Sequence, residues 1–356
     1  MQNVGSQRSV SVAKLFLFLS GEHADLPFSE VKAILEAEGH SYKITERLDQ
    51  VLRLDADPTC VDALKRRAAF TRLCALELFN CSSETSSIIK AAQHVRLDGV
   101  LKEGESFVVR VKHIKEYSSK INGMTLERTL GALIVDKCPM ARVKLKAPDK
   151  AFIGTLTEDR FIFGVKLAEI QAKPFVERRP RKKPFFHPSA MQAKLARCMI
   201  NLAKPKAGET VLDPFCGTGT MLIEAKLIGC QALGLDIQRR MTKGTIRNMA
   251  HFKVKPEGII VADAKDPPLT KVDCVVTDPP YGISSTTLKR TTKQIIEELL
   301  TAVHDLLSSG RRVCMAAPKK LDIAHVGTSL GYKHLESHFV YVHRSLTREI
   351  VVFEKV

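Results

Sequence analysis

The sequence predicts an α/β protein whose C-terminal half is a mostly parallel sheet with an antiparallel hairpin at one edge. Three observations carry this. From residue 188 onward helix-like and strand-like segments alternate at short spacing, which calls for crossover connections and parallel strands. The first strand of that series runs into a loop containing Gly217 and Gly219, at the place where open α/β sheets hold their ligands. The last two strands, over 339–342 and 349–353, are too close for a crossover helix and must turn back on each other.

Taken in order, residues 12–19 read as a strand, 29–39 as a short helix ended by Gly39, and 41–54 as a strand-like segment, together a small βαβ-like unit. From Pro58 an amphipathic helix over 61–79 precedes a strand at 107–111, a helix near 126–131 and strands at 141–145 and 151–155, which reads as a second α+β domain. Residues 173–184 hold three prolines amid dense charge and read as a linker, either a solvated tether or a contact for phosphates. Beyond it come helix 189–202, strand 210–212, helix 218–227, strand 232–235, helix 239–251, strand 259–261, strand 272–277, helix 288–307 and strand 312–316, before the closing hairpin.

The chain has 356 residues, enough for two or three domains, and a formal charge of +16 from 55 Lys and Arg against 39 Asp and Glu. Such an excess repels itself unless a polyanion shares it, which points to nucleic acid over a basic membrane-facing surface. Nine scattered cysteines without a C-x-x-C pair exclude a visible zinc site and read as reduced thiols of a cytoplasmic protein. No apolar run is long enough for a signal core or a membrane span.

The loop Asp213-Pro214-Phe215-Cys216-Gly217-Thr218-Gly219-Thr220 lacks the third glycine of a nicotinamide fingerprint and carries an acid before its glycines. That acid suits the ammonium of an amino-acid-bearing ligand, so S-adenosylmethionine fits better than a dinucleotide. Asp236 with Ile237 ends the next strand, 23 residues after Asp213, where a carboxylate meets ribose hydroxyls. Asp263 with Ala264 ends the third, placed to accept from an adenine amine. Each Asp taken singly could equally be a helix cap. His187 and Ser189 open the helix bordering this loop and are further candidates.

Asp278-Pro279-Pro280-Tyr281 follows the fourth strand. An aryl amine is a poor nucleophile because its lone pair is delocalised, so its N–H bonds must be held by acceptors that aim the pair at the methyl group. Asp278 and a prolyl carbonyl offer two acceptors, the prolines fix the turn, and Tyr281 offers a face for an extruded base. Asp278 also serves to take the proton after transfer. Methylation at carbon would want a cysteine nucleophile, and Cys216 and Cys274 read as packing residues.

Together with His187-Pro188-Ser189-Ala190-Met191, Gly282 after the tetrapeptide, and His343-Arg344-Ser345-Leu346-Thr347-Arg348, these motifs give a chain that resembles the archaeal and eukaryotic tRNA guanosine-10 N2-methyltransferases. The likeness spans nearly the whole sequence, more loosely at 107–111, 126–131 and 143–153. It implies a Rossmann-like S-adenosylmethionine-dependent methyltransferase domain at 185–356, a basic linker at 169–184, a THUMP RNA-binding domain at 58–168 and a ferredoxin-like unit at 1–57. It further implies methylation of the N2 amine of a guanosine in the tRNA core, to a mono- or dimethylated product, and a small zinc-containing activator protein as partner. The candidate RNA contacts are Arg128, Arg142 and Lys144, and in the linker Arg178, Arg179, Arg181, Lys182 and Lys183. A ribosomal-RNA guanine methyltransferase, a DNA amino-methyltransferase and an inactive RNA-binding module are the alternatives.

Overall fold

The computed structural model describes residues 12–281, 290–344 and 346–356. Gly282, Ser345 and the expected helix start at Leu288 lie outside the described residues.

In chain order the first half contains β1 (Ala13–Leu19), α1 (Leu26–Ala37), β2 (Tyr42–Leu48), β3 (Val51–Ala56), α2 (Cys60–Arg67), β4 (Thr71–Ser82), α3 (Thr85–His94), β5 (Ser106–His113), α4 (Gly123–Lys137), β6 (Arg142–Val143), β7 (Lys150–Thr157) and β8 (Arg160–Glu169). The second half contains α5 (Lys173–Glu177), a 3-10 turn at Pro180–Lys182, α6 (Ala193–Leu202), β9 (Thr210–Asp213), α7 (Thr220–Leu227), β10 (Gln231–Asp236), α8 (Arg239–His251), β11 (Gly258–Val261), β12 (Cys274–Thr277), α9 (Thr292–His304), β13 (Arg312–Pro318), α10 (Ile323–Ser329), β14 (Tyr332–His343) and β15 (Leu346–Lys355). No described helix is long and apolar enough to cross a membrane.

The chain divides into two units. Among the described residues, the first comprises 12–21, 40–65 and 71–170, and the second 22–39, 66–70, 171–281, 290–344 and 346–356. In the first unit eight strands form one sheet in the order β2-β3-β1-β4-β8-β7-β5-β6, so strands from both the 1–57 and the 58–168 segments hydrogen-bond in a single ladder. Parallel pairing is confined to β5 with β6 and with β7. The expected helix over 61–79 stops at Arg67, and β4 takes over between β1 and β8. Leu73, Cys74 and Ala75 are buried in succession there. A strand flanked by neighbours and covered on both faces loses the polar–apolar alternation that would announce it.

In the second unit the order is β11-β10-β9-β12-β13-β15-β14, parallel except that β15 runs antiparallel to both β13 and β14. The chain moves outward one way from β9 to β11 and then the other way from β12, so the strand order reverses between β9 and β12 and opens a crevice at their carboxyl ends. The helix α1 belongs to this unit although it precedes β2 in sequence. Its Glu30 is fully buried and accepts from the Ala69 and Phe70 amides and from the Asn201 side chain on α6. Arg67, also fully buried, donates to Asn201 and to the Pro205 carbonyl.

Candidate active site

The crevice between β9 and β12 is built from the ends of four parallel strands. Asp213, last residue of β9, is 3 % exposed and accepts at Oδ1 from the Thr277 hydroxyl (2.7 Å) and the Phe215 amide (3.2 Å). Burial pushes its carboxyl up to about 7, against those hydrogen bonds and with help from the nearby Asp278 and Asp236. The loop that follows is held from outside: the Gly217 carbonyl accepts from Thr245 (2.8 Å) and the Thr218 carbonyl from Asn248 (2.9 Å), both on α8. Gly217 and Gly219 have φ of +52° and +77°, a region that favours glycine, and a Cβ on Gly219 would stand 2.8 Å from Thr245 Cγ2. Gly217 faces the cleft, whereas Gly219 is needed for packing against α8 and lies outside the lining.

A cleft of about 250 Å³ gathers His187, Ser189, Pro214, Phe215, Gly217, Asp236, Ile237, Asp263, Ala264 and the whole of Asp278 to Tyr281. A smaller inner pocket of about 70 Å³ shares Ser189, Phe215, Gly217 and Asp278 with it and adds Asp213, Cys216, Thr218 and Thr220. Burial raises the Cys216 and Cys274 thiols well above their ordinary range, which leaves both as packing groups rather than nucleophiles.

Two of the strand-end acids have structural duties as well. Asp236 accepts from the Gly217 amide (3.1 Å) and the Gln238 amide (2.9 Å), tying the glycine loop to the start of α8, and burial raises its pKa. Asp263 accepts from the Lys265 amide and takes both guanidinium nitrogens of Arg290, the closer at 2.9 Å. His187 accepts at Nδ1 from the Ser189 amide and shares a 2.7 Å contact with its hydroxyl, which fixes the ring at the mouth of the cleft.

At the end of β12 the Tyr281 hydroxyl donates to Asp278 Oδ1, while Arg348 on β15 holds Oδ2 at 3.1 Å and lies 5.5 Å from the Tyr281 ring centroid. Burial raises the Asp278 carboxyl, and Arg348 and the tyrosine hydroxyl oppose that rise. Arg348 and Arg290 were given no role by the motif pattern. Arg348 did leave a signal: it falls in phase with Ile350 and Val352, both fully buried, and an inward charge on a strand needs a partner.

The linker cations divide. Arg178 pairs with Glu224 on α7 (2.6 Å) and lies 4.9 Å from the Phe175 ring centroid, and Lys183 is 5 % exposed, donates to the Thr220 hydroxyl and is lowered by burial to about 8. Both are spent inside the unit and are not presented to phosphates, so the segment is strapped down rather than a free tether. Arg179, Arg181 and Lys182 are exposed, Lys182 beside Glu177. In the first unit Arg128 lines a cavity between α4 and β5, next to the exposed Met124, Val143 and Leu145, and Arg142 and Lys144 are also exposed.

The donor set suits an amino-acid-bearing cofactor. Among the described residues, four carboxylates, Asp213, Asp236, Asp263 and Asp278, face the two contiguous pockets, with Arg290 and Arg348 as the arginines and lysines opposite them. That surplus would repel a pyrophosphate and welcomes a ligand carrying ammonium, sulfonium and sugar hydroxyls.

Comparison with known proteins agrees with this geometry. A family described as an RMKL-like methyltransferase domain matches residues 180–349. The crystal structure of TrmN from Thermus thermophilus shares the fold, with a TM-score of 0.55 at 20% identity over 96% of this chain and 100% of that one. A tRNA (guanine(10)-N2)-dimethyltransferase from Methanocaldococcus jannaschii is 33% identical over 95% of this chain and 99% of its own length. Its counterpart from Methanothermobacter thermautotrophicus is 38% identical over 96% of this chain and 100% of its own length. With the cleft, the fold and full-length relatives in agreement, the chain belongs to the tRNA (guanine(10)-N2)-dimethyltransferase family.

Proposed function

We propose that this protein methylates the exocyclic N2 amine of guanosine 10 in tRNA, first to N2-methylguanosine and then to N2,N2-dimethylguanosine. The observation that carries the chemistry is the placement of Asp278 to Tyr281 in the same cleft as the Asp213 loop. Bound S-adenosylmethionine supplies a methyl carbon made electrophilic by its sulfonium. Asp213 would hold the cofactor's ammonium in the inner pocket, Asp236 the ribose hydroxyls, and Asp263 with Ala264 the adenine edge, while His187, Ser189, Pro214, Phe215, Cys216, Thr218, Thr220 and Ile237 shape the walls. Gly217 allows close approach, and Gly219 sets the turn.

Asp278 and a carbonyl of Pro279 or Pro280 accept the two N–H bonds of the amine, which turns its lone pair toward the methyl carbon. The face of Tyr281 receives the base once it is out of its stack. Nitrogen gains the methyl group and sheds a proton to Asp278. A carboxylate raised by burial is a better proton acceptor than a solvated one, and Arg348 opposes that rise and so favours the ionised form. In this arrangement the amine takes over the acceptor that the Tyr281 hydroxyl occupies.

The substrate assignment draws on the family's name and on exposed cations. Residues 58–168, as a THUMP RNA-binding domain after a ferredoxin-like unit at 1–57, would present Arg128, Arg142 and Lys144, and the 169–184 segment would present Arg179, Arg181 and Lys182 ahead of the methyltransferase domain at 185–356. A small zinc-containing activator is the proposed protein partner, with the edge strand β11 and the exposed Val261 and Ile246 as its seat. The nine free cysteines support a reducing cytoplasmic setting.

Incubation of unmodified tRNA transcript with labelled cofactor, with and without a candidate activator, should yield methylated guanine on nucleoside mass spectrometry. Asp278→Ala should lower turnover by about 10²–10³-fold while sparing cofactor affinity. Arg348→Gln should move the acid limb of the rate profile to higher pH, because Arg348 opposes the rise of the Asp278 carboxyl. Full activity in Asp278→Ala would overturn the mechanism.

A further inference from the structure

The catalytic cleft is not the roomiest cavity of the second unit. A groove of about 690 Å³ opens beside it, and the Arg348 side chain lines both. Arg179, Lys194, Tyr341 and Glu22 stand along its other walls. Tyr341 is 69% exposed, so an aromatic face is available to a planar ligand.

We propose that this groove binds the sugar–phosphate backbone of the RNA strand beside the target nucleotide, with one flanking base stacked on Tyr341. The inference rests on the reading of the cleft as the seat of an extruded base. A nucleotide swung out of a helix carries its two phosphates with it, and those charges need cations within about one nucleotide of the cleft. Among the described residues the cleft's own arginines are engaged: Arg290 is bound to Asp263 and Glu298, and Arg348 to Asp278.

The groove holds others. Arg179 is exposed and forms no ion pair among the described residues. Lys194 meets Glu22 at 2.5 Å, but both side chains are partly exposed, at 27% and 45%, and a phosphate can compete for an ammonium so placed. Burial lowers the pKa of His23, so that ring adds no charge at neutral pH. Tyr341 stands exposed on the edge strand β14 and lines the same groove as Arg348, which leaves its ring open to a base. Cations that follow a backbone and an aromatic that follows its bases are the two parts of a single-strand track.

The test uses the full-length protein and tRNA transcript. Arg179→Glu/Lys194→Glu should raise the KM for tRNA at least about tenfold and lower the slope of log KM against log salt by roughly one to two, one per lost phosphate contact. Tyr341→Ala should raise KM several-fold and remove the ultraviolet crosslink between the Tyr341 peptide and tRNA. Lys253→Glu/Lys255→Glu makes the same charge change ahead of β11, at the opposite end of the parallel strands, and should leave KM within twofold. Calorimetry should show the same cofactor affinity in every variant, which excludes misfolding. An unchanged KM and salt slope in the Arg179/Lys194 variant, beside an active wild type, would overturn the proposal. So would loss of a protein partner with tRNA affinity intact. Should the wild type fail to methylate tRNA, the reading of the cleft falls, and tRNA binding by fluorescence anisotropy on the same variants still decides the groove.

Discussion

Asp213 links the stability of the fold to the ligand contact proposed for it. Its folded pKa of about 7 lies above the value near 3.9 of an unfolded aspartate. The stability it contributes is therefore full below about pH 4 and lost as pH rises through 7. The melting temperature of the cofactor-free protein should fall from pH 5 to 8 relative to Asp213→Asn, which has no such titration. Below pH 7 the carboxyl must lose its proton to hold an ammonium, so S-adenosylhomocysteine should bind up to about tenfold more weakly for each pH unit. Calorimetry in two buffers of different ionisation enthalpy measures the released proton, and affinity independent of pH between 5 and 7 would show that Asp213 does not meet the ligand's charge. Asp213, Asp236, Asp263 and Asp278 could be picked out of the sequence because each ends a strand whose apolar run is visible. Arg290 and Arg348 could not be paired with them, because their partners lie 27 and 70 residues away. Such distances are closed by sheet order, which no local pattern encodes.

Among elements, the helix α8 was legible at both ends, whereas the helix expected over 61–79 was half strand. The difference lies in cover. α8 has one buried face and one wet face, so its period shows, while β4 is enclosed by β1 and β8. The linker misled for another reason. Its charges read as solvated, yet Glu224 on α7 takes Arg178 and Arg197 at 2.6 and 2.7 Å with its own side chain 1% exposed. Removal of that acid would leave two largely buried guanidinium groups facing each other. Glu224→Gln should destabilise the second unit by about 3–5 kcal/mol, read as a lower denaturant midpoint. A change under about 1 kcal/mol would mean that water reaches the cluster and screens it.

At the scale of the whole molecule, the second unit is discontinuous. Its core includes Leu26 and Ala33 from α1 and Ala69 and Phe70 from the turn before β4, alongside α6 and α7. Asn201 and Pro205 satisfy Arg67, and Glu30 in turn satisfies Asn201. A fragment spanning 171–356 would expose that surface and leave Asn201 without its partners, so it should show poor solubility and a broad, weakly cooperative melt by circular dichroism. Addition of residues 22–39 and 66–70 through a linker should restore a sharp transition. A fragment that melts cooperatively by itself would show that these segments only decorate the unit.

Arg348 adds a matter of timing. It lies on β15, the last strand in chain order, which is inserted between β13 and β14. On an emerging polypeptide the glycine loop and Asp278 leave the ribosome well before the guanidinium that pairs with Asp278. Premature termination anywhere before β15 would thus yield a product with a half-built reaction centre and an open sheet edge, which proteolysis can recognise.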